Sequence, residues 1–570
     1  MAKRQRKGAD SMCNGTMPHV GERGVAPLVF VVVALVVLLG AGAGVGAYVL
    51  LNSVSHPNEE TARFLPADTD IYYSLNLRPG AGQLLKLRPM ITRYTGDPAF
   101  QKKLDELVEE MQDETGIHLL DEVMPWLGPE LAVGIINVGS IGDQPQVVTF
   151  VGTTDTQAAR AVLVRFLDYL EGEEELNFRQ ESYGGFDVFL EDRKGEVHFA
   201  ITEDYVLTTT TERLLKDTID MMLEPRDSLA EMESFIAARD SVRNERFSFL
   251  YINVERLIDQ FRVLATLSGA GEALEQAEGQ LPSTLGISSS FVDNGVRVDG
   301  FFETPLGIEA FPGINSLAWA ELLPEDTLAL VSTTGLKQAL DEARSQLEGL
   351  GLGFDEALEA FGGSFGMDIE RDILDWMTGE VAIAVLPTNL SLDIAGDFDA
   401  VFHALAMLQF SDQQQARVAM DNLVETLEGL GIPFDQVDIG GHEATIADLG
   451  MFVGEGGYAP GLLLLDDYVV LGTTELALEE AVDAWSGNGA SLSGEPEFSR
   501  SLGMAPKGVD SLLFVDLHGL FDIIVASMGA DDFSYYRESV RPFVEPLRAF
   551  LAGAQTSQED STFTIVLTIE

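Results

Sequence analysis

Two hydrophobic periods alternate along most of the chain. Short runs rich in β-branched and aromatic residues, namely IYYSLNL, ELAVGIINV, QVVTFVG, FDVFLED, VHFAITE, YVLTTTT and FSFLYINV, predict β-strands between residues 71 and 254. Between them, AARAVLVRFLDYL (158–170) carries a helical spacing that predicts a stripe of Ala161, Val164, Phe166, Leu167 and Leu170. Asp155 stands just ahead of it, where a carboxylate can accept hydrogen bonds from the free N–H groups of a first helical turn. Gly184-Gly185 and the 193–195 stretch predict turns between neighbouring strands. Connections this short cannot be parallel crossovers, so the expected fold class is α+β, a mostly antiparallel sheet with packed helices.

One segment breaks both periods. Residues 26–51 (APLVFVVVALVVLLGAGAGVGAYVLL) carry no charge and, at about 1.5 Å per residue, are long enough to cross the roughly 30 Å hydrocarbon core of a bilayer. Lys3, Arg4, Arg6, Lys7 and Arg23 precede it, and Glu59 and Glu60 follow. This predicts a single-pass transmembrane anchor with residues 1–25 as a cytoplasmic basic tail and residues 52–570 extracytoplasmic. A cleaved signal peptide needs a shorter apolar core, although Ala41-Gly42-Ala43 resembles a cleavage site. Gly40, Gly42, Gly44 and Gly46 give small-residue spacings that would let two anchors pack as a homodimer, but glycine is common in spanning helices in any case.

The exterior part repeats itself in a fixed order. LPADTD (65–70) returns as LPEDTL (323–328), and WLGPELAVGI (126–135) as WMTGEVAIAV (376–385). YGGFDVFLED (183–192) returns as IGGHEATIAD (439–448), and EDYVLTTTTERLLKDTID (203–220) as DDYVVLGTTELALEEAVD (466–483). FSFLYINVERLID (247–259) matches DSLLFVDLHGLFD (510–522), and RVDGFFE (297–303) matches TIVLTIE (564–570). A weaker echo aligns Asp155 with Asp412 and Arg160 with Arg417. The expected organisation is a linker at 52–62 followed by two tandem homologous α+β domains, 63–317 and 318–570, joined by the Pro- and Gly-containing stretch 304–317.

The opening LPADTDIYYSLNL, the later EDYVLTTTTERLLKDTID and the single N-terminal anchor together resemble the bacterial membrane-anchored family of domain of unknown function 3352. The resemblance covers nearly all of residues 60–570. It implies a protein of the bacterial envelope and brings no activity, cofactor or site residue with it.

Charge narrows the partners. The chain holds 92 acidic and 35 basic residues, a net of −57, which argues against nucleic acid or anionic lipid as the main partner. Such acidity suits a salty or cation-rich exterior. The one cysteine, Cys13, leaves no disulfide framework and no Cys-based zinc site.

Candidate chemistry is best sought among residues that both sequence copies keep: Asp68/Asp326, Thr69/Thr327, Glu130/Glu380, Asp204/Asp467, Tyr205/Tyr468 and Asp259/Asp522. Paired carboxylates could serve acid–base work or cation binding, but their sequence places suit turns and caps, and Trp126 and Trp376 suit core anchors. Gly362-Gly363-Ser364-Phe365-Gly366 fits a hydrolase nucleophile elbow without the preceding strand that an elbow requires. His442-Glu443 opens like a zinc-protease helix, yet the second histidine place holds Ile446. His19, His56, His118, His198, His403, His442 and His518 show no ligand spacing, and neither Asp393, Asp397 and Asp399 nor Asp531-Asp532 has the spacing of a calcium loop.

No catalytic, cofactor-binding or metal residue and no cofactor is therefore assigned. The expectation is a non-enzymatic binding or scaffolding protein of the envelope, held to the cell membrane by residues 26–51. An envelope protein, a lipid and a cation stand as further partners. The alternatives are a carrier of an apolar small molecule or lipid, with Phe247, Phe249, Tyr251 and Phe301 in its wall, and a hydrolase whose site converges only in three dimensions.

Overall fold

The computed structural model describes residues 59–570 except 97, 139–144, 174–175, 193–196, 272–273, 275–280, 304–312, 315–316, 337–343, 345–375, 388–402, 450–458, 527 and 529. The predicted anchor, Ser364 and Asp393, Asp397 and Asp399 lie outside the described residues. Among those described, no helix is long and apolar enough to cross a membrane.

Ten strands form the first half: β1 (Ile71–Asn76), β2 (Leu127–Ile136), β3 (Gln146–Thr153), β4 (Phe178–Tyr183), β5 (Phe186–Glu191), β6 (His198–Ile201), β7 (Tyr205–Thr209), β8 (Ser248–Asn253), β9 (Thr284–Val292) and β10 (Gly295–Glu303). Ten more follow: β11 (Ala329–Thr333), β12 (Met377–Leu386), β13 (His403–Phe410), β14 (Phe434–Ile439), β15 (His442–Ala447), β16 (Gly461–Leu465), β17 (Tyr468–Gly472), β18 (Ser511–Asp516), β19 (Leu547–Thr556) and β20 (Asp560–Ile569). All pair antiparallel in one sheet. Its order is β4-β5-β6-β7-β3-β2-β1-β8-β9-β10 and then β20-β19-β18-β11-β12-β13-β17-β16-β15-β14. Adding ten to each strand number turns the first half's order into the second's, read from the opposite edge.

The halves meet at β10 and β20, along nine residue pairs. Val298 lies opposite Ile565, the residue that takes its place in the repeat, so a local two-fold axis passes through that pair. Gly300 faces Phe563 there, whose ring occupies the space a β-carbon would need. Thr564 donates to Asp299 across the seam at 2.7 Å, and Arg297 clamps the same carboxylate at 2.6 Å.

Helices cover both faces. Those used below are α1 (Ala81–Gly96), α2 (Pro98–Thr115), α3 (Thr156–Glu173), α4 (Glu212–Leu223), α5 (Glu233–Ser241), α6 (Val254–Ser268), α7 (Gln413–Gly429), α8 (Glu475–Ser486), α9 (Pro496–Met504) and α10 (Leu517–Ala526). One core of the first half joins Leu214, Leu215 and Ile219 of α4 and Phe235 of α5 to Phe150, Leu207 and Phe249 of the sheet. A second core lies against α3 and contains Trp126. In the second half α8 and α9 contribute to one core, while Ala416 and Ala419 of α7 pack with Trp376. Both tryptophans thus anchor a helix to the sheet, as their sequence places predicted.

The helix over 158–170 forms, and Asp155 caps it through Gln157 and Ala158 N–H at 3.0 Å, as Asp412 caps α7. Its buried stripe differs from the predicted one. Ala159, Leu163, Leu167 and Leu170 face the core, and Ala161 and Val164 face solvent. The steps of four, four and three keep one side of a 3.6-residue helix, whereas 161 and 164 lie well round the cylinder from 159 and 163. The predicted Gly184-Gly185 turn joins β4 to β5, with φ of 61° and 89° that glycine alone adopts without strain.

Candidate functional site

Glu130 lies buried among Thr61, Tyr72 and Tyr205. It lies within an irregularity of the β2–β3 ladder, where register shifts between Leu127 and Leu131. Such a bulge re-aims a side chain, here into the interior. Gly152 lets it form, because a β-carbon there would lie 2.8 Å from the Glu130 carbonyl oxygen. The buried carboxylate accepts hydrogen bonds from Thr61 Oγ1 at 2.9 Å, Thr61 N–H at 3.4 Å, Tyr72 Oη at 3.2 Å and Tyr205 Oη at 3.4 Å.

Burial pushes the Glu130 carboxyl up to about 7, against the opposing pull of the Thr61 and Tyr72 hydrogen bonds. Burial, then the Glu130 charge, raises the Tyr72 and Tyr205 hydroxyls above the ordinary tyrosine range. Nearby, Glu59 and Arg246 form an ion pair with both side chains almost wholly buried and two contacts of 2.9 Å. The arrangement can hold or release one proton inside the core. Glu130, Thr61, Tyr72 and Tyr205 are all buried.

The second half rebuilds the frame with different neighbours. Glu380 lies within the matching register shift between Met377 and Val381, and Tyr468 is buried beside it. Burial, then Glu380, raises the Tyr468 hydroxyl. In the repeat alignment Trp319 takes the place of Thr61 and Leu330 that of Tyr72.

The remaining shared residues take backbone-shaping places. Thr69 and Thr327 each donate from Oγ1 to a proline carbonyl, Pro66 at 2.8 Å and Pro324 at 2.7 Å, closing the same turn twice. Asp68 and Asp326 are exposed on those turns. Asp204 and Asp467 are exposed too, and their carbonyls accept from Thr153 N–H at 2.7 Å and Phe410 N–H at 2.9 Å. Asp259 pairs with Arg262 on α6, and Asp522 with His518 on α10, both at the surface.

His442 lies in β15, its ring edge-on to Trp485, and Asp531-Asp532 lie in a short helix, Ala530–Tyr535. Among the described residues, no three His, Cys, Asp or Glu side chains gather as metal ligands. The structure also reveals a buried carboxylate not singled out in the sequence. Asp70 accepts from Arg256 at 3.1 Å, Gln260 at 2.8 Å and Val138 N–H at 3.0 Å, tying α6 to β1. Its repeat counterpart is Leu328, so the comparison of copies could not have found it.

Fold and site together define a mostly antiparallel α+β protein whose shared polar residues chiefly shape the chain. It belongs to the family described as Protein of unknown function (DUF3352), whose model matches residues 31–568. No curated protein matches. Among solved structures, crystal forms I and III of TP0453 are similar over 43% and 44% of this chain and 79% and 80% of theirs, at 7% and 9% identity. Their TM-scores of 0.24 and 0.25 give that likeness no weight as to fold.

Proposed function

We propose that this is a non-enzymatic binding or scaffolding protein of the bacterial envelope, made of two tandem homologous domains (63–317 and 318–570) and tethered by a single-pass helix at 26–51. The observation that carries the reading is the strand order, repeated after ten strands and fused at Val298–Ile565 into one sheet. A duplicated domain joined edge to edge offers a broad platform, and the polar residues that both copies keep mostly close turns or support the backbone. The family match takes in residues 31–51, so most of the apolar segment belongs to the sequence shared with the family.

Native mass spectrometry of the full chain, released gently from its membrane with and without calcium, tests the reading. A mass equal to the polypeptide alone is expected. A retained lipid or small molecule would replace the scaffold with a carrier.

A further inference from the structure

In a chain of net charge −57, Ile71–Gly96 contains Arg78, Lys86, Arg88 and Arg93 and no Asp or Glu. Three of these bases lie on α1. Its outward side carries Leu85, Arg88, Pro89, Thr92 and Arg93, all exposed, with Lys86 half-buried beside them. Leu85 is 70% exposed. A cleft of about 450 Å³ opens beside this side, lined by Arg88, Arg93, Asn294 and Ile569 among others. One exposed leucine beside three bases offers a membrane surface an apolar contact and charges for its phosphates, while Gln83, Leu84 and Met90 on the other side are buried against the protein.

The path of the chain says which surface faces it. Only residues 52–58 separate the apolar segment from Glu59, a reach of at most about 28 Å. Glu59 is locked to Arg246, the next residue Phe247 stacks on Phe291 at 4.3 Å, and Gln83 of α1 bonds both the N–H and the carbonyl of Phe291 at 2.6 and 3.1 Å. The start of α1 is therefore tied to the point where the chain arrives from the membrane segment.

We propose that the outer side of α1 rests on the anionic headgroups of the membrane that holds residues 26–51, with Leu85 in the interface and Lys86, Arg88 and Arg93 over lipid phosphates. This rests on the anchor reading above. Glu570 shares the cleft with Arg93 but is itself bonded to Arg548 at 3.1 Å, and the exposed acids of α2 begin only at Asp105, nine residues past the end of α1; carboxylates farther off are screened from a headgroup touching α1 at a Debye length of about 8 Å.

The test uses the full chain with Cys13→Ser and Leu85→Cys, labelled at 85 with a polarity-sensitive dye and reconstituted in nanodiscs. Discs of phosphatidylcholine alone are compared with discs of equal parts phosphatidylcholine and phosphatidylglycerol. A blue shift is expected only in the anionic discs, reversed by salt. The variant K86E/R88E/R93E, its fold checked by circular dichroism, should weaken docking on the order of a hundredfold, from about 1 kcal/mol per basic residue at a charged surface. Equal emission in the two lipids overturns the proposal, as does a shift that needs added envelope protein in either lipid. If alkaline washing strips the chain from membranes, the anchor reading fails by itself. Anionic vesicles added to the dissolved chain then decide for α1, a shift supporting lipid docking and its absence overturning it.

Discussion

The two halves place a glutamate at the same bulge and surround it oppositely. In the first, Glu130 has three hydroxyl groups around it, and the Glu59–Arg246 ion pair lies buried nearby. In the second, the alignment puts Trp319 and Leu330 in place of Thr61 and Tyr72, and Leu317 and Val509 in place of Glu59 and Arg246. Val509 is buried and Leu317 packs against the same core. One sheet frame thus tolerates either a polar or an apolar filling behind its strands. The topology is set by strand pairing, and the filling is a local solution to it.

The largest test of that comparison is the ion pair. Arg246→Met alone should cost about 3–5 kcal/mol, because it leaves the Glu59 carboxylate buried without its partner. The double variant Glu59→Leu/Arg246→Val copies the second half and should recover most of the loss, since apolar replacement of a buried pair is often neutral or better. Denaturant unfolding of the full chain measures both. A double variant as unstable as the single would break the comparison.

The pH dependence sharpens it next. With its carboxyl raised from 4.5 to about 7, folded Glu130 keeps a proton that the unfolded chain has already released. Its contribution is full below the unfolded value and is lost as pH rises to about 7, on the order of 3 kcal/mol in all. Glu130→Gln should flatten the stability profile across that window. Thr61→Val, which removes an opposing hydrogen bond, should move the inflection to higher pH, and an unmoved inflection would assign the titration to another group.

The smallest effect is expected at the seam. Gly300→Val forces the Phe563 ring aside and should cost about 1–3 kcal/mol. In calorimetry the transitions of both halves should shift together; a shift of the first half alone would show that the seam carries no support between them.

Much of the fold could be read from residues alone, where a local pattern carried it. The glycine pair at 184–185 marked a hairpin, and the capping aspartates marked helix starts. The predicted stripe of α3 was misplaced because Val164 is apolar but solvent-facing, and composition does not report which way a residue points. The Glu130 cluster was hidden for a different reason: Thr61, Tyr72 and Tyr205 lie 69, 58 and 75 residues from it in sequence. Only the bulge and the strand order bring them together. The seam was half legible, since the matching of 297–303 with 564–570 gave the equivalence but not the pairing.

That seam also has a mechanical meaning. From β9, beside the chain's arrival point, the far edge strand β14 lies eleven strands away, about 50 Å at ordinary strand spacing. Whatever grips that outer edge pulls across the strands, in the direction that unzips a ladder. The nine residue pairs between β10 and β20 are the only strand-to-strand link by which the described sheet passes such a load back to the tether.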